Sequence, residues 1–327
     1  MSLPNPNPHL LFAEERDVIG SIILVSSFVF ILLNLFIIKV LHDDKHLFSC
    51  TSYKFIIILC MYDLAQLLVH LSTGILTLFR SVGHPIFMKV LGLIATPSYI
   101  CYVLTTIVLA FNRFVHIAAP NVDRKLFSPV ASKFWILLCF LIGAGFSVAL
   151  ASPYATIQYD PDRFAWFYDM SLPASATVKQ IEMIIEVGGI FVSAAVYILI
   201  VGFLCVWFSK SQFPLSEKLN VEAKILLQCF FLTAYCTVLN WLWHRHNITD
   251  LSNLCLNLMW IFNGGVNPAI YLILNTVIKK SGRVGISTIF SAYNPTNPVP
   301  ITPEERKKEF KATVAQVTCK SKVTYVT

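Results

Sequence analysis

Seven apolar runs constrain this chain more than any other feature, lying at about 18–41, 55–79, 86–111, 134–155, 183–208, 224–243 and 253–276. Each is long enough to cross the hydrocarbon core of a bilayer, which takes roughly 20 residues at about 1.5 Å rise per residue. Lipid offers no hydrogen-bond partner to a bare backbone, so runs of this kind become helices. A chain of 327 residues with 56% hydrophobic and only 13% charged residues is a multispanning membrane protein by composition. The expected fold is an all-α membrane protein, a seven-transmembrane-helix bundle. The second and sixth runs are the least clean, since they carry Asp63 and His70, and Gln228 and Asn240. Losing one of them would leave six spans and put both termini on one side.

Lysine and arginine set the orientation. With the N-terminus outside, the inner loops and span ends hold Lys39, Lys45, Lys54, Arg113, Arg124, Lys125, Lys133, Lys210, Lys218 and Lys224. The outer side keeps Arg16, Arg80, Lys89, Arg163, Lys179 and Arg245, and the tail adds Lys279, Lys280 and Arg283. The bias predicts an extracellular N-terminus over 1–17, a seven-helix domain over 18–278 and a cytoplasmic tail over 279–327. The net charge of +7 is thus a topology signal and does not point to nucleic acid. Residues 1–17 lack the charged start and small-residue cleavage site of a signal peptide, so the first span is expected to act as its own insertion signal.

Seven of the nine cysteines fall inside runs and read as small packing residues, and no metal-ligand spacing links them. No extracellular disulfide is available. Loops are short apart from the outer one at about 156–182 and the tail. That outer loop is dense in aromatics and acids from Tyr159 to Asp169. Two readings stand: a lid over a ligand mouth, or an interfacial aromatic belt. The start of the tail mixes Lys279, Lys280 and Arg283 with apolar residues, the pattern of a short helix lying on the inner leaflet. Asn247-Ile248-Thr249 fits a glycosylation sequon close to two spans.

Polar groups inside the runs mark the inner workings. Pro268, within Asn267-Pro268-Ala269-Ile270-Tyr271, removes a backbone donor and makes a hinge. The carbonyl it frees needs another partner. Asp63 is the clearest ionisable group in a span, with Asn34, Asn263 and Asn267 as candidate partners in a polar network. The opposing reading is a water-filled network that only specifies packing. His70, seven residues from Asp63, reads either as a proton relay or metal ligand, or as an interhelical hydrogen-bond donor, the commoner role of a lone membrane histidine. Arg113, between Asn112 and Phe114, closes the third run. It is either a snorkelling interface marker or one half of a switch with Glu222 at the start of the sixth run. Tyr197 in the fifth run is placed to approach Arg113 or Tyr271.

Asn34, Asp63, Arg113 and the Asn267–Tyr271 motif recur in the order and approximate spacing of rhodopsin-like G-protein-coupled receptors. Ser52-Tyr53-Lys54 through Asp63, Thr73-Gly74-Ile75-Leu76 and Ala110-Phe111-Asn112-Arg113-Phe114 more closely resemble nematode serpentine chemoreceptors, most of all the class T (Srt) group. The likeness runs over most of 18–280. It implies a receptor in the plasma membrane, in sensory cilia, coupling a small extracellular ligand to a heterotrimeric G protein. Arg113 would then face the G-protein side, with Asn267, Pro268 and Tyr271 as hinge.

Departures from the pattern are informative. Asn112 stands where the wider family usually has an acid, the sixth run has no proline, and the outer disulfide is absent. No lysine lies in the seventh run, which excludes an opsin-like retinal Schiff base, and no cofactor is expected. Ala95 stands where amine receptors carry an aspartate, which argues against a cationic amine. The candidate pocket is Ala95, Tyr99, Glu182, Glu186, Tyr235 and Trp260, apolar and aromatic apart from two glutamates four residues apart on one helix face.

Other classes fit less well. A transporter or channel predicts inverted repeats and several charges along a path, whereas Asp63 nearly stands alone. An intramembrane zinc hydrolase needs several membrane histidines and acids. A non-signalling co-receptor remains compatible with the altered third-run motif. Catalytic residues are not expected.

Overall fold

The computed structural model describes residues 15–44, 48, 51–210, 235, 238, 242 and 250–274. Its elements are α1 (Arg16–Asp43), α2 (Thr51–Leu78), α3 (Pro85–Ala118), α4 (Pro120–Leu126), α5 (Pro129–Ala151), β1 (Ile157–Asp160), β2 (Ala165–Tyr168), α6 (Ser175–Lys210) and α7 (Asp250–Leu274). Among the described residues α1, α2, α3, α5 and the Ser175–Phe203 part of α6 are long and apolar enough to cross a membrane. The sixth run, apart from Tyr235, Val238 and Leu242, lies outside the described residues. So do Glu222, the Asn247 sequon, residues 1–14 and everything after residue 274.

Local chemistry starts several helices. Pro85, Pro120 and Pro129 each open a helix, where a missing N–H costs nothing. The His84 ring accepts from the Ile86 N–H at 3.2 Å, and Ser128 Oγ accepts from the Ala131 N–H at 3.3 Å. Burial then ranks the helices. About 61% of the apolar window of α3 is buried, against 22% in α1 and α5, so α3 runs through the middle and the others present a face to lipid. Two glycines permit close approaches. A Cβ on Gly74 would lie 2.9 Å from the Leu24 nitrogen of α1, and one on Gly92 would lie 2.6 Å from the Ile157 carbonyl oxygen of β1.

Both internal prolines leave a carbonyl without its helical donor, and each carbonyl has found one next door. Pro97 in α3 frees the carbonyl of Leu93, which accepts from Ser147 Oγ of α5 at 3.2 Å. Pro268 in α7 frees the carbonyl of Gly264, which accepts from Asn34 Nδ2 of α1 at 2.8 Å. The two proline sites are thus tied to neighbouring helices.

The loop after α5 adds a two-stranded antiparallel hairpin to the helical bundle, with Tyr159 opposite Trp166. Its turn is set by Asp160, whose carboxylate accepts from the Asp162 N–H at 2.9 Å, and by Phe164 at φ 54°, a left-handed conformation costly for a bulky residue. Ile157, Tyr159, Trp166 and Tyr168 join the main core cluster with Met88, Leu91, Ala95, Tyr99 and Trp260. Of the two readings of this aromatic loop, the packing is that of a lid on the bundle. It is held without a disulfide: Tyr159 Oη pairs with Thr77 Oγ1 at 3.0 Å, Tyr168 Oη donates to Glu182 at 2.6 Å, and Arg16 pairs with Asp162.

Candidate functional site

A polar seam runs along the contact of α2 with α7. Asp63, Gln66, His70, Thr73 and Thr77 are all buried and alternate three and four residues apart, so they form one stripe on α2. Facing them, α7 buries Asn253, Asn257, Trp260, Asn263 and Asn267. The register is fixed at two levels. Asn267 Nδ2 donates to Asp63 Oδ2 at 3.2 Å, and one heptad further along both helices the Trp260 and His70 rings meet edge to face at 5.0 Å.

The first level lies at the Asn267-Pro268 motif. Asn267 Nδ2 also donates to Tyr102 Oη of α3 at 2.6 Å, so this single amide joins α2, α3 and α7. Of the expected partners of Asp63, Asn267 is in direct contact. Asn34 instead serves the Gly264 carbonyl, because the proline one turn on leaves that acceptor open. Asn263 is fully buried, and Tyr271 packs with Ile37, Val40, Tyr53 and Ile56.

Nearer the hairpin lie the residues expected to line a pocket. Tyr102 stacks on Tyr99 at 5.9 Å, and Tyr99 meets Trp260 edge-on at 5.7 Å. Trp260 Nε1 donates to Gln66 Oε1 at 2.6 Å, which anchors the indole against α2. Ala95 is fully buried in the same cluster, and Tyr235 packs against it while donating to the Met259 carbonyl at 2.5 Å. The structure therefore brings Ala95, Tyr99, Tyr235 and Trp260 together.

Glu182 and Glu186 sit on α6, one turn apart and buried to 4% and 2% exposure. Tyr168 of the lid closes on Glu182. Burial, then the Glu182 charge, pushes the Tyr168 phenol well above its usual range. Burial likewise raises the Tyr159 phenol, with the Thr77 hydrogen bond opposing.

At the opposite end of the bundle, Asn112 accepts from Ser52 Oγ at 2.8 Å and donates to Asp123 Oδ1 at 3.3 Å. Asp123, on α4, also pairs with His116 Nδ1 at 2.8 Å. An acid thus stands beside the Asn112-Arg113 motif after all, supplied by the following short helix. Arg113 is half-buried and makes no ion pair among the described residues. Phe114 packs on Phe55, Val115 and Phe127. Tyr197 is half-buried on α6.

His70 does not take the donor role expected of a lone membrane histidine. Neither ring nitrogen has a hydrogen-bond partner among the described residues: the ring meets Trp260 edge to face, and the one N–H of that indole is spent on Gln66. Tyr102, Gln66, Thr77, Asn253, Asn257 and Asp123 were not singled out from sequence, and Thr73 only as part of a family motif. The three-four spacing of polar residues in both runs was the signal for most of them.

The arrangement has close counterparts. The family model described as "Serpentine type 7TM GPCR chemoreceptor Srt" matches residues 7–290. No curated protein matches. Among solved structures, squid rhodopsin superposes with a TM-score of 0.71 at 15% identity, covering 94% of this chain and 96% of that one. At that identity the likeness is one of fold, a rhodopsin-like bundle of seven helices. With the family model covering most of its length, this chain belongs to the Srt family of serpentine seven-transmembrane chemoreceptor G-protein-coupled receptors.

Proposed function

We propose that this protein is a chemosensory receptor of the plasma membrane that couples a small extracellular ligand to a heterotrimeric G protein. Its N-terminus lies outside and its tail, from residue 279, in the cytoplasm, by the lysine and arginine bias. The observation that carries this reading is an unbroken line of contacts from pocket to hinge: Trp260 to Tyr99, Tyr99 to Tyr102, and Tyr102 to Asn267. A ligand that reorients Trp260 or Tyr99 disturbs the group holding α7 to α2 and α3. A differential affinity of a few kcal/mol for two packings is enough to shift their populations.

In this reading Ala95, Tyr99, Tyr235, Trp260, Glu182 and Glu186 line the pocket, and Asn112, Arg113, Phe114, Glu222 and Tyr197 form the G-protein side. The test is a G-protein activation reporter in cells exposed to a panel of volatiles and small metabolites. A ligand response lost in Arg113→Ala, with the variant still at the cell surface, supports the mechanism. A ligand-dependent ionic current without any G-protein response overturns it.

A further inference from the structure

The outer part of the α2–α7 seam is polar beyond its own needs. Thr73 Oγ1 donates to the His70 carbonyl at 2.9 Å, and Thr77 Oγ1 donates to the Thr73 carbonyl at 2.8 Å while pairing with Tyr159, so both hydroxyls are satisfied. His70 and Asn257 are not. Both are 0% exposed, and both ring nitrogens of His70 and both amide atoms of Asn257 lack a hydrogen-bond partner among the described residues. The register places them together. Trp260 lies against His70, and Asn257 is one turn nearer the lid on the same face of α7, level with Thr73. The lid adds a further donor. Trp166 Nε1 is buried without a partner, and its ring lies 5.7 Å from that of Tyr159, which is tied to Thr77.

Four orphaned polar atoms on two facing helices are costly unless something pairs with them. They offer donors and acceptors in equal measure, since a neutral imidazole presents one of each and a carboxamide presents both kinds. Among the described residues no carboxylate, lysine or arginine is buried in this part of the seam, and a neutral His70 imidazole carries no charge, so a charged head group would go uncompensated there. We infer that His70 and Asn257 form the head-group site for an uncharged ligand that both donates and accepts, of the primary or secondary carboxamide class, with its apolar part against Trp260 and Tyr99. The inference deepens the receptor reading and names the ligand chemistry of its pocket.

The test uses purified full-length receptor and three probes that share one short aliphatic chain: the primary carboxamide, the methyl ester and the primary ammonium. Direct binding is measured by microscale thermophoresis, separately from the G-protein reporter. The expected order has the carboxamide binding most tightly. Its affinity should fall about tenfold or more in Asn257→Leu and in His70→Phe, the equivalent of about 1.4 kcal/mol for one lost hydrogen bond. The ester should change by much less. His70→Gln, which keeps a donor and an acceptor, should recover part of the loss.

Carboxamide affinity unchanged in both variants overturns the inference. So does no carboxamide binding at the solubility limit, or preferred binding of the ammonium. Variants that only raise thermal stability, without altering probe binding, would assign these atoms to bound water and also overturn it. Carboxamide binding that depends on both residues, with no G-protein response to any ligand, leaves this site standing and refutes the coupling reading instead.

Discussion

Replacing Asn112 by aspartate, the acid usual at this position in the wider family, should damage this receptor rather than repair it. Asn112 is 3% exposed and its Nδ2 donates to Asp123 Oδ1 at 3.3 Å. The substitution removes that donor and sets a second carboxylate against the first. Two unit charges at this distance repel by about 1 kcal/mol in water and about 5 kcal/mol at an effective dielectric of 20. The Asp123 side chain is 17% exposed, so the repulsion lies between those limits. Adding about 1 kcal/mol for the lost hydrogen bond gives a destabilisation of about 2–6 kcal/mol. The assay is thermal unfolding of the purified receptor across pH, with parent, Asn112→Asp, Asp123→Asn and the double swap. Asn112→Asp should unfold several degrees lower near neutral pH and recover as pH falls, because protonating one carboxyl of the pair restores a donor. The double swap returns a donor–acceptor pair and should recover more than half of the loss. An Asn112→Asp variant as stable as the parent would refute the argument, as would a double swap worse than the sum of the single changes.

Three further outcomes follow from the lid. Gly92→Ala puts a Cβ 2.6 Å from the Ile157 carbonyl oxygen, so the hairpin must shift. It should cost about 1–3 kcal/mol and speed protease cleavage near residues 161–164, and an unchanged cleavage rate would count against this contact. Burial and Glu182 hold the Tyr168 proton on in the folded state, whereas the unfolded chain releases it near pH 10. The stability this contributes is whole below about pH 10 and lost as pH rises further, so Tyr168→Phe should show a shallower alkaline decline in melting temperature, and equal slopes would refute it. A reducing agent should leave the melting temperature unchanged, since the contacts that hold the lid are hydrogen bonds, an ion pair and packed rings. A fall of several degrees would reveal a covalent tie.

What the sequence disclosed followed how local each constraint is. Span positions rest on a rule that acts within one segment, so those of the described helices were readable. The contact of Asp63 with Asn267 was readable as well, since few groups in the spans can meet a carboxylate. That the carbonyl freed by Pro268 needs a donor was evident, but that Asn34 supplies it depends on how α1 crosses α7. The acid beside Asn112 was hidden for a similar reason: Asp123 belongs to α4, and only the turn at Ala119-Pro120 brings it back. The lid carried a weak period-two signal, with Ile157 and Tyr159 inward and Gln158 outward, which four-residue strands are too short to make decisive.

The clamp at Pro268 makes the proposed hinge something a double-mutant cycle can measure. Asn34 Nδ2 satisfies the Gly264 carbonyl only because Pro268 has no N–H to offer. Asn34→Ala alone strands a buried carbonyl and should cost about 1–3 kcal/mol, loosening α1 from the bend in α7. In a Pro268→Ala background the helix supplies its own donor to Gly264, so the same Asn34→Ala change should cost well under half as much. With no proline in the sixth run to share the bending, the looser hinge should also raise ligand-independent signalling in Asn34→Ala, and Pro268→Ala should lower it. Melting temperatures of the four proteins and their basal reporter activity at matched surface expression decide the matter. Equal penalties for Asn34→Ala in both backgrounds would mean that Asn34 acts as simple packing between α1 and α7, and that the hinge is held by Asn267 alone.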